Sequence, residues 1–483
     1  MSLPIFPTAM EYMTAGDLPR IGDATIDMSK QPAYEPPRDR GRQPVGFLNK
    51  DVKPDGTRRK ILVVGAGDVW DRFARAPLEH RGSDVYIFDP ALQPVKGLDS
   101  PDETIREAAQ QKESARQARM KALNLDEAHC VLDNGDGYPK VPEGTEAVVV
   151  LTPPKLHVPY IQWAQDHGIP AIVEKPLVND VAEFAGPHGL DEIMKHAKVP
   201  IYCMDWKAAH AAPLAALVGL ATGVSAPHQD ILGDVPDEVL KKFDFKHIRR
   251  AEGVMMQLST ESGDMTYLKE KRKAVWEGGV LSDMGVHPMA ALANMGFTPT
   301  HAIAAELGDT EGQQTPGIYR RIGNGQQMPA WYARGKVMTE FQGQQVPMII
   351  EVGKGGGVVD NCIRLIDKNG SVLKWNYDNK NSANTITLTT PDGVTTEIHR
   401  SNVNPYALMF DEALHFFDKQ KEAPQKSALY YHEQKAIIKA VNDMERIGRE
   451  RPADELRQFA LAPNATIDMS QAHVTARGPE IQR

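Results

Sequence analysis

The 483-residue chain is poor in cysteine, in long apolar runs and in net positive charge. Its three cysteines, Cys130, Cys203 and Cys362, lie far apart and form no Cys-x-x-Cys pair, which argues against a disulfide framework or a zinc cluster and fits a reducing compartment. No segment approaches the apolar length that spans a bilayer. The opening MSLPIFPTAMEYMTAGDLPR has neither a charged start nor a continuous apolar stretch, so the expectation is a soluble, cytoplasmic protein. With a formal net charge of -9 and both signs scattered, there is no basic face for nucleic acid and no polybasic membrane patch.

What is present is a globular composition, 41% hydrophobic, on a chain too long for one core, which predicts two domains plus extensions. Residues 1–57 are rich in Pro, Gly and charge, with Pro36-Pro37 and the run Arg38 to Arg42, and read as an extended arm. From Arg58 short apolar runs alternate with helical patterns: Lys60 to Val64, Asp84 to Phe88, Glu146 to Leu151, Ala171 to Val173 and Pro200 to Met204. That alternation predicts a doubly wound parallel sheet, a Rossmann-type dinucleotide-binding domain over 58–205.

Beyond residue 205 the strands follow one another directly, as at Val337 to Phe341, Val346 to Val352, Cys362 to Ile366 and Thr385 to Thr389. This predicts an α/β domain over 206–460 built on a large, mostly antiparallel open sheet, closed by helices near 404–420 and 426–449. A polar tail follows over 461–483, and its segment Ala465-Thr466-Ile467-Asp468-Met469-Ser470 repeats Ala24-Thr25-Ile26-Asp27-Met28-Ser29 of the arm.

Four motifs carry chemistry. Gly65-Ala66-Gly67-Asp68-Val69 follows the first strand and opens a helix, where the first glycine permits the tight turn and the second lets backbone approach a pyrophosphate. Trp70 stands where the pattern has its third glycine, and the bland alternative is an ordinary strand-to-helix turn. Asp89, ending the second strand, is placed to accept hydrogen bonds from a ribose and to repel a 2′-phosphate, which favours NAD over NADP.

Glu174-Lys175-Pro176 and Thr152-Pro153-Pro154-Lys155-Leu156-His157 both follow parallel strands, at the edge where open α/β sheets bind ligands. Lys175 could hold charge against a substrate oxygen, or burial could lower its pKa toward base strength, with Glu174 tuning it. In Gly278-Gly279-Val280-Leu281-Ser282-Asp283-Met284-Gly285-Val286-His287, Asp283 and His287 are placed to share a helical face. A histidine there can take a hydroxyl proton while hydride leaves the same carbon, and a nearby carboxylate can fix its tautomer. The bland alternatives are a surface lysine and a helix cap with a helix histidine.

Taken in order, these motifs over about residues 58–450 resemble the glucose-fructose oxidoreductase/inositol dehydrogenase/rhizopine catabolism (Gfo/Idh/MocA) family. The resemblance implies an NAD(P)-dependent dehydrogenase or reductase acting on CH–OH groups of a sugar, sugar derivative or cyclitol. It implies a catalytic Lys175, a substrate-binding Asp283, a proton-transferring His287, and a cofactor loop at Thr152, Pro153 and His157. Asp205-Trp206-Lys207 departs from the aromatic and arginine of many relatives, and Lys207 is the candidate substrate residue there. The open sheet of such proteins often forms a subunit interface, so a homodimer or homotetramer is expected, with arms exchanged between subunits as a hypothesis. A retained cofactor serving a glycosidase or lyase by transient oxidation is the alternative within the family, and a non-catalytic nucleotide sensor is the alternative outside enzymes.

Overall fold

The computed structural model describes residues 45–460 apart from 68, 206–207, 224–228, 233–234, 236, 258–278, 310–317, 324, 326–329, 355–359, 377–383, 402, 423–427 and 451–457. Asp68, Lys207 and both Ala-Thr-Ile-Asp-Met-Ser segments lie outside the described residues.

The first domain alternates β1 (Lys60–Val64), α1 (Arg75–His80), β2 (Asp84–Phe88), α2 (Glu103–Leu123), β3 (Thr145–Val150), α3 (His157–His167), β4 (Ala171–Val173), α4 (Leu190–Lys195) and β5 (Ile201–Cys203). The strands are parallel, each flanked on both faces, which is why their apolar runs are continuous rather than alternating. Leu62 and Val64 join a core with Ile161 and Ala164 of α3, while Ile61 and Val63 join the opposite core with Trp70 and Leu78.

The stretch just before β1 is held against this domain. Asp51, buried, receives Arg81 Nη2 at 2.9 Å and Nε at 3.1 Å and the Ser83 hydroxyl at 2.6 Å. Arg81 also donates to Asp411 at 2.8 Å, so the end of the expected arm is locked between two helices by a buried ionic network.

The second domain adds α5 (Ala212–Thr222), α6 (Asp237–Leu240), β6 (Ile248–Gln257), α7 (Val286–Ala293), β7 (Thr298–Asp309), β8 (Ile318–Ile322), β9 (Tyr332–Phe341), β10 (Gln344–Lys354), β11 (Asp360–Asp367), β12 (Val372–Asn376), β13 (Asn384–Thr389) and β14 (Thr395–Ser401). Then come α8 (Pro405–Glu422), β15 (Ala428–Leu429), α9 (Tyr431–Glu450) and β16 (Gln458–Ala460). Among the described residues the large sheet has ten strands, in the order β14-β13-β12-β11-β6-β10-β9-β7-β8-β16. All its neighbours are antiparallel except β6 and β10.

The chain's return to the first sheet differs from the expected assignment of 206–460 to the second domain alone. Ala428 and Leu429 of β15 pair in parallel with Ile201 and Tyr202, giving the six-stranded order β15-β5-β4-β3-β1-β2. The reason is that β5 would otherwise leave an unpaired parallel edge. Phe410, Leu414 and Phe417 of α8 pack into the core of Ile61 and Val63. α9 then joins the two domains, with Tyr431 and Ile438 in the first core and Ile437, Val441 and Met444 in the second.

α7 rests directly on β6. A Cβ added at Gly253 would lie 2.5 Å from Pro288 Cβ, so the helix carrying His287 approaches the sheet closely only because residue 253 is glycine.

Candidate active site

The glycine turn forms as its sequence requires. Gly65 has φ +94°, and a Cβ there would meet the Leu151 carbonyl oxygen at 3.0 Å. Gly67 differs, because a Cβ there would meet nothing within 4 Å, so the backbone at Gly67 borders open space. The helix that follows begins as a wide π-type turn, Trp70–Ala74, after half-buried Val69. Trp70 is 2% exposed, and its ring fills core where a third glycine would have allowed closer helix–strand packing. The Asp89 carboxylate reaches back to the turn, accepting from the Ala66 N–H at 2.8 Å with one oxygen and from the Ala91 N–H at 2.8 Å with the other.

These residues fit a dinucleotide. The open face of Gly67 leaves room for a pyrophosphate, Asp89 follows β2 beside the turn, where a carboxylate could meet a ribose, and the Thr152 hydroxyl at the end of β3 is buried without a hydrogen-bond partner. Pro153 starts the short turn that leads into α3 and is exposed. His157 is fully buried and ties two loops together, with Nε2 2.7 Å from the Thr152 carbonyl and Nδ1 3.0 Å from the Pro176 carbonyl. Burial lowers its pKa to about 4, so it is a neutral strut between the Thr152 and Lys175 loops.

Lys175, Asp283 and His287 are brought to one place from β4, a wide π-type turn at Leu281–Gly285, and α7. Lys175 Nζ donates to the Asp283 backbone carbonyl at 2.7 Å and lies 3.4 Å from Asp283 Oδ1. The peptide bond between Lys175 and Pro176 is cis. Burial alone would lower the Lys175 pKa, but Asp283, Glu174 and Asp205 outweigh it and the balance is upward. Of the two roles open to Lys175 this favours holding charge over base strength, because three surrounding carboxylates favour the ammonium.

Two residues not singled out from the sequence complete the site. Asp205, just beyond β5, accepts from His287 Nδ1 at 2.8 Å and from the Ala208 N–H at 2.9 Å. Burial works to raise its pKa, but His287, the Ala208 N–H and Lys175 hold the carboxyl below its ordinary value. The carboxylate that orients His287 is therefore Asp205. Its position at the carboxyl end of a parallel strand was the available signal. Lys354, the last residue of β10 and 1% exposed, places Nζ 2.7 Å from Asp283 Oδ2. Nothing in the local sequence marks it. Asp283 thus lies between two ammonium groups, which more than offset burial and hold it well below the usual carboxylate range.

Residues 59–186 match the Gfo/Idh/MocA family, described as an oxidoreductase family with an NAD-binding Rossmann fold. The match covers the amino-terminal domain, which is similar to the nucleotide-binding domain of this family. Residues 59–186 thus carry the NAD-binding Rossmann fold of an oxidoreductase family. No curated protein sequence matches the chain. Among solved structures it is similar to a 3-ketoreductase from Actinomadura kijaniata in complex with NADP and TDP-benzene, at TM-score 0.54 and 16% identity, over 81% of this chain and 98% of that one. It is also similar to an aldose-aldose oxidoreductase from Caulobacter crescentus complexed with glycerol, at TM-score 0.53 and 13% identity, over 84% of this chain and all of that one. An oxidoreductase from Sinorhizobium meliloti matches at TM-score 0.52 and 14% identity, over 81% and 98% of the two chains. At these identities the likeness is one of fold. Among the described residues no helix is long and apolar enough to cross a membrane, and no group of three His, Cys, Asp or Glu side chains is placed to hold a metal.

Proposed function

We propose that the protein exchanges a hydride between a nicotinamide and a carbinol or carbonyl carbon of a sugar, sugar derivative or cyclitol. The observation that carries this reading is the junction of Lys175, Asp283 and His287, joined through Asp205, at the carboxyl edge of a dinucleotide-binding sheet. A bound nicotinamide supplies the hydride acceptor or donor. With Nδ1 committed to Asp205, His287 exchanges the hydroxyl proton at Nε2. Lys175, held charged by its carboxylates, stabilises the oxygen as it develops negative charge. Asp283, held ionised between two lysines, accepts a hydrogen bond from a substrate hydroxyl, which suits a polyol and gives a hydrocarbon alcohol little to bind.

Asp89 favours NAD, since a carboxylate beside the ribose repels a 2′-phosphate. Gly65, Gly67, Asp68, Val69, Thr152, Pro153 and Glu174 form the cofactor side of the site in this reading, and Lys207 contributes to the substrate side. The assembly is a cytoplasmic homodimer or homotetramer, and a version lacking residues 1–44 should scatter light as a smaller oligomer if the arms are exchanged. The similarity to the ketoreductase and the aldose oxidoreductase supports the substrate class. Mass spectrometry of nucleotide released from the denatured protein, followed by a sugar and cyclitol panel with NAD, tests the proposal. Net reduction of NAD by a panel member is the expected result. Hydrolysis or elimination without net reduction would instead favour transient oxidation by a retained cofactor.

A further inference from the structure

Asp205 lines more than the site of His287. It also borders a cavity of about 40 Å³ between the domains, walled largely by alanines and edged by Tyr202, Asn294, Glu412, Tyr430 and Gln434. Since one water needs roughly 10–15 Å³ of such volume, the space takes about three. Its polar lining decides whether it is wet. Glu412 receives the Tyr202 hydroxyl on one carboxylate oxygen and the Tyr430 hydroxyl on the other, each at 2.6 Å. Gln434 is 3% exposed, and its Oε1 is buried without a hydrogen-bond partner. A buried amide oxygen left without a donor is costly, and water in the cavity supplies one.

The two ends differ. Asp205 is buried and holds His287, whereas Glu412 is half-buried. We propose that the cavity holds a short chain of water that carries protons between Asp205 and Glu412, making Glu412 the outer terminus of the path that serves His287. The use of this path rests on the reading of His287 as the proton-exchanging group; the path itself does not. When His287 has gained a proton at Nε2, its Nδ1 proton passes to Asp205 Oδ1. Asp205 passes a proton to the adjoining water, the water passes one to Glu412, and Glu412 releases it to solvent. Asp205, the water and Glu412 each give up the proton they gain, so no charge remains in the cavity; the ring keeps its proton on Nε2 until the reverse transfer hands it to a substrate oxygen while Nδ1 regains one along the same path. The small alanine walls are what keep the room open.

Full-length protein labelled with ¹⁵N-histidine tests this without substrate. The solvent-exchange rate of the His287 Nδ1 proton is compared in wild type, Glu412→Gln and Ala291→Val, the last adding bulk to the cavity wall while leaving its polar residues unsubstituted. Exchange slowed about tenfold in both variants is expected, because proton transfer then loses its acceptor or its medium. Unchanged exchange in either variant at unaltered melting temperature would overturn the proposal, as would a crystal structure showing the cavity dry. Should Ala291→Val fail to fold, the near-isosteric Glu412→Gln decides alone. A protein that oxidised no sugar or cyclitol yet showed slowed exchange in the variants would refute the proposed function and leave the conduit standing.

Discussion

His287 Nδ1 lies 2.8 Å from Asp205 Oδ1, and both side chains are buried, so the histidine takes its orientation from a strand end in the other domain. Asp283, four residues before His287 in sequence, faces two lysines.

Asp205→Asn keeps the size of the side chain but lets it donate, which permits the wrong imidazole tautomer. Turnover should fall by about two to three orders of magnitude with nucleotide affinity unchanged. Steady-state kinetics beside a nucleotide titration measure both, and a comparable loss of nucleotide affinity would point to a folding role instead.

Lys354→Met removes one of the two ammonium groups that hold Asp283 ionised. Asp283 has a depressed pKa in the folded state, so its contribution to stability is present above the unfolded carboxylate pKa and is lost as pH falls through the lower folded value. The variant should have a smaller shift, hence a lower melting temperature at neutral pH and a shallower decline on acidification. Thermal melts of both proteins across the acidic range show the difference, and parallel curves would rule it out.

The two glycines should separate folding from binding. Gly65→Ala forces a left-handed φ on an alanine whose Cβ meets the Leu151 carbonyl, so a stability loss of about 1–3 kcal/mol is expected. Gly67→Ala should leave the melting temperature near that of wild type while weakening nucleotide binding, because its Cβ enters only the open space. Calorimetry of both variants with NAD distinguishes them.

Asp89→Ala should narrow the preference for NAD over NADP, raising NADP affinity by removing a negative charge from the ribose site. It should also cost some stability, since Asp89 caps both the Ala66 and the Ala91 N–H groups. Equal affinities of wild type for NAD and NADP would contradict the premise.

What the sequence made legible was local. The glycine turn, Lys175 after β4 and the Asp283–His287 pair each declare themselves within a few residues of a strand or helix end, where backbone geometry fixes side-chain direction. The partners of these residues were not legible, because they come from distant segments. Lys354 reaches Asp283 from β10, and Asp205 reaches His287 across the domain boundary. The return of β15 to β5 was hidden for the same reason: a two-residue strand carries almost no pattern, and only the unpaired edge of β5 explains it. Trp70 looked like damage to the glycine pattern, and the structure absorbs it in the core behind the turn.

The most direct test of the account is label transfer. Wild type and His287→Asn are incubated with NAD and a panel of sugars and cyclitols deuterated at the carbinol carbons, and the nicotinamide is analysed by mass spectrometry. The account predicts deuterium on the reduced nicotinamide from at least one substrate with wild type, and almost none with His287→Asn although that variant still binds NAD. Label absent with wild type across the panel, or equal with both proteins, would contradict it.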